Sequence, residues 1–402
     1  MKKSLSYLLL FFYLTNSQMV YAQKGWQKLS TQVVVDLNDV FFINVMEGWI
    51  VGRSGTILHT ADGGIHWEVQ PTTTSSFLQS VWFQNDSSGW IVGSAGIMLA
   101  TSDKGENWSL PASPYTMDYA DIVFSDAENG WIVGNEGIIL HTSNGGQKWQ
   151  YQYAGVQESI LSVSFSDANN GWLAGTYASG WLSHTTNGGT DWADYTQPIE
   201  DLTYDVFFIN PYRGWVGGEG KLLFTDDVGE TWEVRPLPVG TGPVVDIVFV
   251  NDTLGWVITE KNLFATTDAG LTWALQLQLD DYNYFKAIYF ADPQHGWIVG
   301  RKGLVYATTD GGGMGISEMD VSDQLLLYPN PSDGSFTLKL RENLTKGEPF
   351  LIEIFSLSGH LVFRDSNPLQ EDYQINLGGS SGAAVLRISQ GRMTGSRRII
   401  FP

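Results

Sequence analysis

The stretch that decides the fold is Leu37–Trp67, LNDVFFINVMEGWIVGRSGTILHTADGGIHW, because it recurs seven times. Its central Gly-Trp returns at Trp49, Trp90, Trp131, Trp172, Trp215, Trp256 and Trp297, in steps of 41, 41, 41, 43, 41 and 41 residues. A fixed period of this length denotes one supersecondary unit stacked on its neighbours. Within the unit, DVFF, GWIVG, TILHT and WEVQ are β-rich runs separated by Gly, Asn, Asp and Ser turns, and no window carries a helical period. Four short antiparallel strands per repeat predict a propeller blade, and seven repeats predict seven blades.

Two further regularities support this register. Phe42, Phe83, Phe124, Phe165, Phe208, Phe249 and Phe290 stand seven residues before the Gly-Trp tryptophans, and Val or Ile stands two residues earlier each time. Alternate residues of a strand share a face, so each innermost strand offers an aliphatic and a phenyl group to the next blade. Each copy ends in T-x-[DN]-x-G-x-x-W, from TADGGIHW at Thr60 to TTDAGLTW at Thr266, whereas the seventh, TTDGGGMG at Thr308, lacks its tryptophan. Trp26 precedes Trp49 by the spacing that separates Trp67 from Trp90, so residues 26–30 are expected to supply the missing outer strand and close the ring. Fourteen of the 16 tryptophans occupy repeat positions; Trp82 and Trp181 do not.

The T-x-D-x-G-x-x-W segments are Asp-box (BNR) repeats. With Gly-Trp-[IVL]-[VA]-Gly at this spacing, residues 26–312 resemble the propellers related to the photosystem II stability and assembly factor. That resemblance implies a protein-binding assembly factor rather than an enzyme. Repeat four departs from it by two extra residues (TYASGW), and repeat six by TEKN in place of the glycine turn. Within a box, the Asp or Asn is expected to hold the turn by accepting backbone N–H groups.

The ends of the chain read differently. A basic start, the apolar run SYLLLFFYL and Val20-Tyr21-Ala22 predict a signal peptide over residues 1–22. No other apolar stretch is long enough to span a bilayer as a helix, so no transmembrane segment is expected in the mature chain. The propeller is assigned to residues 23–313, a linker to 314–323, and a C-terminal domain to 324–402. In that last domain, seven strand-like runs predict a small Ig-like β-sandwich. Tyr328-Pro329-Asn330-Pro331 with Gly334, the central segment and the basic-apolar end at Arg397-Arg398 resemble the C-terminal sorting domain of the Por (type IX) secretion system of Bacteroidetes-type bacteria. Gly382-Ala383-Ala384 departs from it, lacking the usual aromatic. The resemblance implies recognition by the type IX machinery, passage to the cell surface and removal of the domain by a sortase, leaving the mature protein anchored or released.

Charge and composition narrow the function. Residues 23–315 carry 12 Lys+Arg against 33 Asp+Glu (12 − 33 = −21), which disfavours nucleic acid and anionic lipid. The chain has no cysteine, hence no disulfide and no thiolate metal site or nucleophile, and no cofactor is expected. Loops before the inner strands and after the Gly-Trp strands share one face, the expected binding face. There Asp39, Asp121, Asp205 and Asp246 are expected to ring the channel mouth, either capping backbone N–H groups or, in the sharper reading, holding a cation. Arg53, Arg301 and Lys302 are expected to form a basic patch once blades seven and one meet, with Glu219 and Glu260 beside it and Tyr282 and Tyr284 adding contact area; Asp281 is a possible counter-charge. The expected partner is an envelope or extracellular protein or glycan. The competing class is a sialidase-like glycoside hydrolase, which needs an arginine cluster and a carboxylate pair or tyrosine nucleophile, and no catalytic residue is assigned.

Overall fold

The computed structural model describes residues 25–313 except 176–179, 196–202, 239–240 and 280–281, together with the strands between Met319 and Phe401 and a few residues beside them. The predicted signal peptide and the expected counter-charge Asp281 therefore lie outside the described residues. Seven sheets succeed one another up to Gly313. The first runs from the inner strand Leu37–Phe42 through Gly48–Gly52 and Ile57–Thr60 to the outer Glu68–Gln70. Inner strands of successive sheets touch, and Phe285–Phe290 of the last touches Leu37–Phe42 of the first, so the ring is closed.

The second sheet has three strands instead of the expected four. Its outer segment is reduced to one bridge, Ala100 to Ser109. The next rung would fall on Pro111, where the first repeat pairs Ile57 with Gln70. Proline has no N–H to continue the ladder.

Stacked aromatics join blade to blade. At six of the seven junctions the Gly-Trp indole lies flat on the phenyl ring of the following inner strand, as Trp49 on Phe83 at 3.8 Å, Trp131 on Phe165 at 3.4 Å and Trp215 on Phe249 at 3.6 Å, whereas Trp90 meets Trp149 edge-on. Trp297 on Phe42, at 3.5 Å and 10° between planes, makes the same contact across the closure. The glycine before each tryptophan is required by that ring: a Cβ on Gly48 would come within 2.4 Å of its cross-strand partner Phe42. His59, His141 and His184 of the third strands stack on the other side of Trp49, Trp131 and Trp172. Burial holds the His184 imidazole neutral, with its pKa down at about 4.

Closure by the N-terminal segment is as expected. Gln27–Leu29 pairs antiparallel with the strand Leu304–Thr308. Trp26 packs edge-on against Phe290 at 5.7 Å and donates its indole N–H to Gln276 Oε1 at 2.8 Å. Gly25 N–H reaches the Asp310 carboxylate at 3.1 Å, so a segment 285 residues away completes the seventh box. The boxes are hydrogen-bonded turns. In the first, Thr60 Oγ1 donates to Asp62 Oδ1 (2.9 Å) and accepts from Gly64 N (2.9 Å), and Asp62 Oδ1 also accepts from His66 N (2.9 Å).

Beyond Gly313 the described strands form two sheets. Five strands order as Met319–Asp320, Met393–Phe401, Gly382–Gln390, Phe350–Ser356 and Leu361–Asn367; three order as Leu325–Tyr328, Ser335–Leu340 and Tyr373–Asn376. One apolar cluster takes Phe336 and Ile375 from the smaller sheet and Phe350, Ile352, Leu386 and Phe401 from the larger. Met319–Asp320 falls within the stretch expected to be a linker, yet pairs in parallel with Met393–Thr394.

Candidate functional site: the channel and its rim

The inner strands line a central cavity of about 650 Å³. In six of the seven blades the register of the inner strand shifts at its start, as between Leu37 and Asp39. This one-residue irregularity re-aims the side chain that follows it, which is Asp39, Asp121 and Asp246 in blades one, three and six; Asp205, in the blade whose register does not shift, lines the cavity with them.

Each of these carboxylates bridges two blades. Asp39 Oδ1 accepts from Val40 N (2.7 Å) and Oδ2 from Val81 N of the next blade (2.8 Å). Asp121 does the same with Ile122 (2.8 Å) and Val163 (3.1 Å), Asp205 with Val206 (2.9 Å) and Ile247 (2.8 Å), and Asp246 with Ile247 and Ile288 (both 2.8 Å). Where the repeat has serine, Ser80 donates to Asp121 Oδ1 (3.0 Å) and Ser162 to Asp205 Oδ1 (2.6 Å). The result is a hydrogen-bonded belt, interrupted in blade seven by Ala287. Among the described residues no group of three or more acidic or histidine side chains is arranged to hold a metal ion.

Burial pushes Asp39 up to about 6 and Asp121 up to about 7, against the backbone bonds that favour the anion. Asp205 is raised by burial, and Asp246 well above the usual carboxylate range by burial and then by the charge of Asp205. A carboxyl with a raised folded-state pKa contributes stability that is full below about pH 4 and is lost as pH rises through the raised value. The depressed histidines act oppositely, but only below about pH 6.5. From pH 6.5 to 8 the Tm is therefore expected to fall, and Asp121→Asn to flatten that slope. A wild-type Tm that is constant or rising over this interval would contradict the assignment.

The rim above the belt carries the cations. Arg53 and Arg301 begin the tight turns Arg53–Gly55 and Arg301–Gly303 that follow the Gly-Trp strands of blades one and seven. Asp36 ties the two blades together: its Oδ2 lies 3.3 Å from Arg53 Nε, and its Oδ1 accepts the Lys302 amide at 3.2 Å. The Arg53 guanidinium also covers Phe77 at 4.9 Å, and that of Arg301 covers Tyr284 at 4.5 Å. Lys261 approaches the same Tyr284 ring at 5.6 Å. Tyr282 is 80% exposed.

Lys286, one residue before the gap at Ala287, belongs to this group too. Its pKa is lowered by burial first and by the charge of Arg301 second, with Asp36, Glu260 and Arg53 also acting on it. Glu219 and Glu260 together raise Tyr204 after its burial. Arg53, Arg301, Lys302 and Tyr284 thus meet at the junction of blades seven and one, whereas the four aspartates line the channel beneath them. Asp36, Phe77, Lys261 and Lys286 were not singled out from the sequence. Lys286 had a signal, as the lone cation on an inner strand next to the one belt position that is alanine.

Fold and site define a closed β-propeller of Asp-box repeats with a charged rim over a carboxylate-belted channel. The chain belongs to the photosynthesis system II assembly factor YCF48 family, whose repeats match residues 18–117, 109–196, 191–275 and 237–331. Residues 326–401 match the secretion system C-terminal sorting domain. A solved structure of YCF48 bound to D1 peptide is 25% identical, with a TM-score of 0.62 over 71% of this chain and 97% of that one. YCF48 from Cyanidioschyzon merolae is 22% identical (TM-score 0.59; 71% of this chain, 98% of that one). The WD40 β-propeller domain of Doa1, 12% identical at TM-score 0.59 over 71% and 97% of the two chains, shares the fold. No curated protein matches the chain.

Proposed function

We propose that this is a non-enzymatic binding propeller, exported by the type IX route to the cell surface or beyond, whose rim at blades seven and one captures an acidic segment of an envelope or extracellular protein. The supporting observation is a basic cluster at the junction of blades seven and one, where Arg301 covers Tyr284, Asp36 joins Arg53 to the Lys302 amide and the charges of Arg301 and Arg53 act on Lys286, on a propeller whose charge is otherwise strongly negative. Among the described residues, Asp36 is the one carboxylate that bridges the two blades there, and Arg53 remains 53% exposed. The YCF48 structure with a bound peptide supports a peptide ligand for a propeller of this family. The sorting domain supports recognition by the type IX machinery and removal by a sortase.

The arginine distribution favours binding over glycoside hydrolysis. Arg213 pairs with Asp226 (3.8 Å) and Asp252 (3.5 Å), and Arg235 with Glu233 (2.6 Å), each away from the rim pair. A sialidase would gather its arginines about one substrate carboxylate.

The test is capture from envelope extract by wild-type protein and by the Arg53→Glu/Arg301→Glu variant. Affinity for the captured protein is expected to fall roughly 100-fold, equivalent to about 2.7 kcal/mol, with the Tm unchanged. Wild-type binding should also weaken as salt rises. Equal capture by the double variant would place the site elsewhere, and capture of an anionic glycan instead would replace the partner class.

A further inference from the structure

A repeat position dictated by packing stays the same around the ring. The residue two places after each belt position does not. It is Tyr289, Phe41 and Trp82 in blades seven, one and two, and Phe207 in blade five. Blades three, four and six have Val123, Ser164 and Val248 there and build equivalent sheets. Large rings are therefore not needed to make a blade. Trp82 is also one of the two tryptophans that the repeat does not explain.

The three consecutive rings touch. The Phe41 centroid lies 5.0 Å from that of Tyr289 and 5.1 Å from that of Trp82, with planes tilted by 45° and 52°. All three line the cavity of about 650 Å³ and are only partly buried. That volume lies within the usual range for small-ligand sites. The shelf is fixed in place, because the Tyr289 hydroxyl donates to the Phe42 carbonyl at 2.8 Å. The belt carboxylates of Asp39 and Asp121 line the same cavity; both Asp39 oxygens and Asp121 Oδ2 accept one bond each and keep lone-pair capacity, whereas Asp121 Oδ1 is filled by Ile122 N and Ser80 Oγ.

We infer that the channel is a binding site for a small aromatic compound that is neutral or positively charged, with its ring on the Tyr289–Phe41–Trp82 shelf and an amine or hydroxyl group turned to the belt. Offset or edge-on stacking on three contiguous rings supplies the apolar contact. An ammonium group is attracted both by the ring faces and by the carboxylates, and an anion is repelled by the latter. The site is separate from the rim that binds the partner protein.

Calorimetric titration of the full chain with phenethylamine and with phenylacetate tests this. Phenethylamine is expected to bind saturably and phenylacetate not to bind. Trp82→Val installs the residue that blades three and six already have, and should weaken phenethylamine about tenfold or more, whereas Trp82→Phe should retain most of the affinity. Arg53→Glu/Arg301→Glu should leave phenethylamine binding unchanged, which keeps failure of this site distinct from failure of the rim. No saturable binding of phenethylamine to the wild type, or equal affinity in Trp82→Val, would overturn the proposal. Equal binding of phenylacetate would overturn the charge selection, and that comparison needs no variant.

Discussion

Trp297→Ala is expected to destabilise the propeller by about 4 kcal/mol and lower its Tm by roughly 10 °C, the cost of emptying a buried indole site. Trp297 is 2% exposed, lies flat on Phe42 of the first blade, and donates its N–H to the Gly63 carbonyl at 2.9 Å. Truncation would remove the stack, the hydrogen bond and the packing in one step, at the seam where the two ends of the ring meet. Trp26→Ala acts on the same closure from the other side. It should cost about 3 kcal/mol, less than a fully buried tryptophan, because Trp26 is only partly buried. Its loss strands Gln276 Oε1 and leaves the seventh box without an aromatic. Thermal melts of both variants check this. A Trp26→Ala protein that melts with the wild type would mean that the N-terminal strand does not hold the ring shut.

Deleting residues 326–401 should abolish appearance at the cell surface while leaving the propeller folded. The propeller's cores are made within the ring: each of its apolar clusters takes its buried residues from residues 37–305, and the cluster of the C-terminal sheets takes its own from 325–401. Loss of the sorting segment therefore removes the export signal without opening a propeller core. Fractionation of cells expressing the truncated chain should find it retained in the periplasm with an unchanged near-UV spectrum. Its presence outside the cell would contradict type IX export through this segment.

The repeat made most of the fold readable from residues alone. Gly-Trp, the phenylalanine seven residues earlier and the box threonine recur because each blade solves the same packing problem, so register and closure followed from spacing. The missing outer strand of blade two was less visible, because it depends on one residue, Pro111, falling on a hydrogen-bonding rung. The site was only partly legible. Arg53, Arg301 and Lys302 could be brought together by counting round a closed ring. Asp36 could not, since its carboxylate reaches Lys302 across 266 residues and that contact depends on loop conformation. Lys286 was hidden by the register irregularity at the start of its strand, which breaks simple in–out alternation. The aromatic shelf was visible only as an oddity, Trp82 off the repeat, until the ring placed it beside Phe41 and Tyr289.

We propose that partners dock on the rim where blades seven and one meet, and hydrogen exchange of the full chain, with and without the protein it captures, reads this out residue by residue. The prediction is slowed exchange at residues 53–55, 301–303 and 284–286, with the Asp-box turns at 60–64 and 308–312 unchanged. Protection confined to those turns, on the opposite face, would contradict it.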